Sequence, residues 1–169
     1  MKARGVTTLL IALLLVGCSS STQGQPRGAS SSSGNSKVDI GKTKQVGEEL
    51  ACDTVAPASL VTAAIGTPAV VDPKQYRACD FDLPTPGRST AGRAHIAVST
   101  VPLVGENSDL DGNTLVTDRR GDDKECDMAL AVAPRKFLRV SLLMFNDDRG
   151  DVCERSKTLL KSVFDGLPE

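Results

Sequence analysis

Aromatic residues are scarce in this chain: they make up 3% of its 169 residues, with no Trp, one Tyr and four Phe. A surface that stacks nucleic-acid bases or sugar rings would therefore have few side chains to use. The chain also lacks a large net charge, because 20 Lys and Arg oppose 21 Asp and Glu, which gives a formal charge of −1. Without a basic field to attract phosphates, we do not expect nucleic acid as a partner.

Few residues are suited to hold a metal or a cofactor. His95 is the only histidine, no Cys-x-x-Cys pair occurs, and no glycine-rich loop typical of phosphate binding is present. A structural zinc site needs four Cys or His ligands, usually in closely spaced pairs. We therefore expect neither a metal nor a cofactor.

The N-terminus has the pattern of a bacterial lipoprotein signal peptide. Lys2 and Arg4 give it a positive start, an apolar run covers residues 6–16, and a small residue precedes Cys18. The run is shorter than the ~20 residues that a membrane-spanning helix requires, so the segment predicts export and cleavage. The ending Leu-Val-Gly-Cys resembles a lipobox, the alternative being an ordinary signal peptide that happens to contain a Cys. We expect residues 1–17 to be removed and Cys18 to carry the lipid.

Residues 18–45 are predicted to be a flexible tether that follows the lipidated cysteine. They are rich in Ser and Gly and contain almost no large apolar side chain. Such a composition cannot bury enough apolar surface to offset the entropy of ordering the chain. As a flexible coil the tether would span roughly 25 to 30 Å.

Residues 46–169 form the predicted single domain, which contains Cys52, Cys79, Cys126 and Cys153. An even number of cysteines in an exported domain predicts two disulfides, and three pairings are possible. The pairing of Cys52 with Cys79 and of Cys126 with Cys153 is favoured. Each of these pairs is separated by 27 positions and would join a helix end to a nearby strand.

Two helices are predicted in this domain. The first has Pro57 at its first position, apolar residues at helical spacing and Gly66 at its end. The second begins with Asp151 and Glu154 in a capping-box pattern and ends at Gly166.

Four segments between the helices alternate apolar and polar side chains and predict strands at residues 77–83, 93–101, 126–132 and 137–145. The short connection between the last two predicts an antiparallel hairpin. The predicted fold class is therefore α+β, with an antiparallel sheet of about four to five strands and two helices packed on one face.

The order of cysteines, glycines and a terminal Leu-Pro resembles a known family. In chain order the pattern is Cys52-Asp53-Thr54-Val55 before a helix, Cys79 in a strand, Cys126 at the start of another strand, Cys153 at the start of the last helix, and Leu167-Pro168 after it. Over residues 48–168 it is similar to the actinobacterial cell-envelope lipoproteins with the domain of unknown function three-five-five-eight. This resemblance implies no catalytic residues.

His95 is the one candidate for general acid–base catalysis near neutral pH. A Ser-His-Asp hydrolase would need it, but no Gly-x-Ser-x-Gly motif is present. His95 alternates with Ile96 and Val98 in a predicted strand and is expected to point to solvent. We therefore predict no catalytic residue and do not expect an enzyme.

One segment has oxygen-bearing side chains at the spacing of a calcium loop. Asn107, Asp109 and Asp111 occupy its first, third and fifth positions, followed by Gly112 at the sixth and Asp118 at the twelfth. The last ligand is Asp where Glu is usual, and the preceding segment has the pattern of a strand and not of a helix. The favoured interpretation is an Asp-Gly turn between strands, with calcium binding as the alternative.

Together these features predict a non-catalytic binding or accessory lipoprotein. Its lipid would hold it on the extracytoplasmic face of the cell membrane, where it would present a small domain to an envelope protein. The alternative is an extracytoplasmic carrier of a small apolar ligand, which would require a cavity between the sheet and the helices.

Overall fold

The computed structural model describes residues 37–73, 77–84, 87, 91–145 and 150–169. The predicted signal peptide, the predicted lipid site at Cys18 and the predicted tether up to residue 36 lie outside the described residues.

Seven strands and three helices form in this part of the chain. In order they are α1 (Cys52–Val55), α2 (Ala58–Ile65), β1 (Val70–Val71), β2 (Ala78–Asp82), β3 (Gly92–Ser99), β4 (Glu106–Leu110), β5 (Asn113–Arg120), β6 (Glu125–Ala133), β7 (Lys136–Met144) and α3 (Val152–Gly166). The strands form one sheet in the order β1-β2-β3-β7-β6-β5-β4, and every neighbouring pair is antiparallel. The α+β class with an antiparallel sheet is confirmed.

The predicted number of about four to five strands is wrong, because the sheet has seven. The four predicted strands correspond to β2, β3, β6 and β7. Buried residues alternate with more exposed ones in β2, β3 and β7, but seven consecutive residues of β6 are buried. β1 is only two residues long, and four of the five β4 residues are exposed, so neither produces an apolar alternation. β5 pairs with β4 through a two-residue turn at Asp111 and Gly112, both with positive φ, as a type I′ hairpin requires.

The helix boundaries follow their capping residues. Asp151 precedes α3, and its Oδ1 accepts hydrogen bonds from the backbone N–H of Cys153 at 2.7 Å and of Glu154 at 3.4 Å. Gly66 ends α2 in the left-handed conformation with φ of 73°, as predicted. Pro57 is the N-cap of α2 and not its first helical residue, and the single-turn helix α1 before it was not predicted.

The core lies between one face of the sheet and the helices. α3 packs on β6 and β7, and α2 packs beside α3. Leu159 and Val163 of α3 and Leu138 and Val140 of β7 are completely buried there. The two disulfides brace this layer, since Cys52–Cys79 joins α1 to β2 and Cys126–Cys153 joins β6 to α3.

The opposite side of the sheet, called the outer face below, is partly covered by the chain itself. The connection at 100–105 links β3 to β4, which are separated in the sheet by β7, β6 and β5. Leu103 of this connection packs on Ala129, Ala131 and Phe137 of the outer face. The two alanines leave the room that this crossing requires, because larger side chains would hold the connection away from the sheet.

Residues 37–45, assigned above to the tether, pack against the domain. The backbone N–H of Gly41 donates to the carbonyl of Gly112 at 2.9 Å, and that of Lys44 donates to Val132 at 2.8 Å. The Lys44 ammonium is buried and donates to the carbonyl of Leu167 at 3.1 Å. Composition alone did not reveal this order, because backbone groups of distant residues provide it.

Candidate functional site

Five polar side chains form a row across the outer face, one from each of five adjacent strands. In sheet order they are Asp80, His95, Ser141, Asp127 and Asp118, and each is the direct register partner of the next. Residues at one register position share a face of the sheet and have neighbouring Cβ atoms. We call this set the polar row.

The polar row contains an Asp-His pair. Oδ1 of Asp80 lies 2.6 Å from Nδ1 of His95, and the two side chains are 36% and 45% exposed. Ser141 is opposite His95 on β7, yet its hydroxyl makes no hydrogen bond with any residue that the structure describes. The three residue types of a hydrolytic triad are thus adjacent, but the contact between serine and histidine that activates a nucleophile is not formed.

Asp127 is the buried member of the polar row, with its side chain 3% exposed. Oδ2 of Asp127 accepts a hydrogen bond from Nη2 of Arg139 at 2.9 Å and lies 3.5 Å from Nη2 of Arg120. Oδ1 of Asp127 is buried without a hydrogen-bond partner in the described part of the chain. Burying a carboxylate is costly unless it is paired, so the two arginines hold this charge in the sheet.

The predicted calcium-type segment forms a hairpin. Asn107 and Asp109 lie in β4, Asp118 lies in β5, and Oδ1 of Asp109 accepts a hydrogen bond from the backbone N–H of Gly112 at 3.1 Å. Asp118 is engaged by Arg120. No group of three or more His, Cys, Asp or Glu among the described residues could hold a metal ion. The predicted Asp-Gly turn between strands is confirmed by the pairing of β4 with β5.

A groove of about 340 Å³ runs between β4 and α3 on the helix side of the sheet. We call it the β4 groove. Its lining consists of Leu110, Glu154, Lys157, Thr158, Lys161, Ser162 and Asp165. The groove exists because α3 covers β6 and β7, which leaves the helix side of β4 open.

An ion-pair cluster closes the turn end of the β4 groove. Nζ of Lys161 donates to Oδ2 of Asp111 at 2.6 Å and lies 3.2 Å from Oδ2 of Asp165. The hydrogen bond from Lys161 lowers the pKa of Asp111, and the hydrogen bond to Asp111 raises the pKa of Lys161. This contact fixes the β4–β5 hairpin relative to α3.

The cysteines are paired as predicted, whereas one contact of His95 was not predicted. The structure confirms the favoured cysteine pairing, with Cα–Cα distances of 5.5 Å for Cys52–Cys79 and 5.2 Å for Cys126–Cys153. His95 is half exposed, as expected, but its contact with Asp80 was missed. Strand alternation placed both residues on one face of their strands, and only the register of β2 on β3 brings them together.

The space between α3 and β7 is filled by buried side chains. Leu159, Leu160 and Val163 of α3 and Leu138 and Leu142 of β7 are all 0% exposed. A ligand-sized cavity beside them would leave some of their atoms accessible to solvent. Carriage of an apolar ligand at this position would therefore require the two layers to separate.

No helix among the described residues combines the length and apolar character needed to span a membrane. A family model described as "Protein of unknown function (DUF3558)" matches residues 13–165. No curated protein and no solved structure matches the chain.

Proposed function

The chain belongs to the DUF3558 family of proteins of unknown function, and we propose that it is a non-catalytic binding lipoprotein of the cell envelope. A lipid on Cys18 holds it to the extracytoplasmic face of the membrane. Its domain presents the outer face of the sheet to an envelope protein.

The polar row is the observation that carries the binding role. The helices that pack on the sheet lie on its other face, so the row is open to a partner over its exposed members. The groups offered to the partner are its carboxylates, with the guanidinium groups of Arg139 and Arg120 beside them. Such alternating donors and acceptors give specificity to a protein interface without any catalytic machinery.

The N-terminal pattern supports the anchor. The family match begins at residue 13, so it includes the lipobox-like ending at Cys18. Two disulfides suit an oxidising compartment outside the cytoplasm. Several acyl chains on one cysteine supply stable membrane attachment without an amphipathic helix.

The anchor is tested with the full chain in a bacterium that processes lipoproteins and is supplied with an alkyne-tagged palmitate. We expect label on the wild type and on the control Ser19→Ala, and none on Cys18→Ala. The N-terminal peptide should begin at a lipid-modified Cys18 in mass spectra. A wild-type chain that carries no label, or that begins upstream of Cys18, would refute the anchor.

The binding role is tested by complementation of a deletion strain. The double charge reversal Asp80→Arg with Asp118→Arg should fail to complement, because it changes the charge pattern of the polar row. His95→Ala should complement, and so should Glu48→Arg, which reverses an exposed charge outside the row. Thermal unfolding checks that each variant folds. If His95→Ala folds and fails while the double reversal complements, the protein acts through catalysis and the proposal is wrong.

A further inference from the structure

β4 is an edge strand whose outer backbone groups are unpaired. The two-residue turn sets Leu110 opposite Asn113 as the closing hydrogen-bonded pair of the hairpin. Because inward and outward groups alternate along an antiparallel strand, the N–H and C=O of Asn107 and of Asp109 point away from β5. Among the described residues, none forms a hydrogen bond with these four backbone groups.

The two edges of the sheet differ in how they are protected. β1, at the other edge, has only two residues and lies between Pro68 and Pro73, which cannot donate a backbone hydrogen bond. Short strands and prolines are the usual means by which proteins prevent strand addition at an edge. β4 has five residues and contains neither proline nor lysine. It therefore keeps its capacity to pair with another strand.

The β4 groove lies where the side chains of an added strand would go. A strand beside β4 would direct every second side chain towards α3, into the space lined by Leu110 and six polar residues of α3. The remaining side chains would lie on the outer face, next to Asn107 and Asp109. Backbone pairing with side-chain pockets on one side is the arrangement by which β-augmentation recognises extended peptides.

The charges around this edge are acidic on balance. Glu106, Asp109 and Glu154 form no ion pair with any described residue. Of the two lysines that line the groove, Lys157 also forms no ion pair with a described residue. Asp111 and Asp165 are already engaged by Lys161. Glu106 lies on the same face of β4 as Leu110, and Glu154 lines the β4 groove. Basic side chains that enter the groove are therefore electrostatically complementary to these two carboxylates.

We propose that β4 and the β4 groove bind an extended segment of an envelope protein, which adds to the sheet as an eighth strand and carries basic residues at alternate positions. The basic side chains enter the groove, on the side of Glu106 and Glu154. This inference rests on the proposed binding role and names the chemistry of the partner at a second surface of the domain.

The probe is the synthetic peptide acetyl-TKVKVKT-amide, added to the full chain in detergent micelles. Amide hydrogen exchange is measured residue by residue. In the free protein, Ser108 should be protected by β5 while Asn107 and Asp109 exchange freely. With the peptide, Asn107 and Asp109 should gain at least tenfold protection, because their N–H groups become hydrogen-bonded.

Two controls separate strand addition from charge attraction. A peptide of the same sequence that is N-methylated at every residue has no backbone donor on either edge, cannot form the ladder and should give no protection. A peptide with glutamate in place of lysine should bind at least about tenfold more weakly at low salt. If the N-methylated peptide binds as well as the parent, or the acidic one binds equally, the proposal is overturned.

The matched variants are Asn107→Pro and Asn107→Ala. Proline removes the outward N–H of residue 107 without removing a bond to β5, so the hairpin should persist while peptide binding weakens about fivefold to tenfold. Alanine keeps the N–H and should bind normally.

Protection of Asn107 and Asp109 that appears without peptide and rises with protein concentration would identify a second copy as the occupant and refute a basic partner. Lipid labelling of Cys18 is independent of these readouts, so this inference and the proposed anchor can fail separately.

Discussion

The side-chain amide of Asn113 forms hydrogen bonds with both backbone groups of Lys42. Oδ1 accepts from the N–H of Lys42 at 2.8 Å, and Nδ2 donates to its carbonyl at 2.8 Å. Nδ2 also donates to the carbonyl of Ala131 at 2.6 Å, and Asn113 is completely buried. The Asn113 side chain thus joins the backbone of β6 at Ala131 to the backbone at Lys42, and so attaches the N-terminal segment to the sheet.

Replacing this amide should release that segment. Asn113→Ala removes three hydrogen bonds and leaves the buried carbonyl of Ala131 and the backbone groups of Lys42 without partners, so we expect a loss of about 2 to 3 kcal/mol in the free energy of unfolding. Hydrogen exchange at Gly41 and Lys42 should accelerate. The control Asn107→Ala changes an exposed asparagine on β4 and should cost less than about 0.5 kcal/mol. Unchanged protection at Lys42 in Asn113→Ala would contradict this role.

The disulfide between Cys52 and Cys79 should behave as one unit. Cys52→Ser and Cys79→Ser are each expected to lower the free energy of unfolding by about 3.6 kcal/mol in the chain-entropy model. The double variant should lose no more than either single one, because both changes remove the same cross-link. Urea unfolding provides the measurement. Additive losses would show that the two cysteines do not stabilise the protein through a shared bond.

The cap of α3 should make stability depend on pH. Burial acts to raise the pKa of Asp151, but hydrogen bonds from Arg119 and from the backbone N–H of Cys153 outweigh it and place the pKa below its usual value. The unfolded chain therefore binds a proton more readily. The stabilisation is present above the ordinary pKa of about 4 and is lost as pH falls through the folded value.

Two substitutions isolate this charge. Asp151→Asn keeps an oxygen that caps the helix and removes the ion pair with Arg119, so its deficit in Tm relative to the wild type should be present at pH 6 and shrink towards pH 3. Asp151→Ala also removes the cap and should cost about 1 kcal/mol more than Asp151→Asn at pH 6. A deficit of Asp151→Asn that stays constant between the two pH values would exclude the carboxylate charge as its cause.

Ser141 should be inert as a nucleophile. Its hydroxyl has no contact with His95 that would remove its proton, so a fluorophosphonate probe should leave the Ser141 peptide unmodified in mass spectra. A commercial serine hydrolase in the same mixture serves as the positive control. Modification of Ser141 that disappears in His95→Ala would show an activated serine and overturn the non-catalytic proposal.

Local sequence patterns determined much of this domain. The alternation in β2, β3 and β7 follows from the period of two in a strand, and the end of α2 follows from the left-handed conformation that Gly66 adopts. The equal spacing of the cysteines also favoured the observed pairs. Each of these features depends on residues close together in the chain, or on the number of residues between two cysteines.

The polar row and the open edge were decided by the tertiary structure alone. Alternation shows that His95 and Ser141 lie on the same kind of face in their own strands, but it does not state which strands are neighbours. The connection at 100–105 crosses the sheet, so β4 to β7 return to β3 from the far side and bring Ser141 opposite His95. The same crossing leaves β4 at the edge. Strand order depends on contacts between residues far apart in the chain, and no local pattern encodes it.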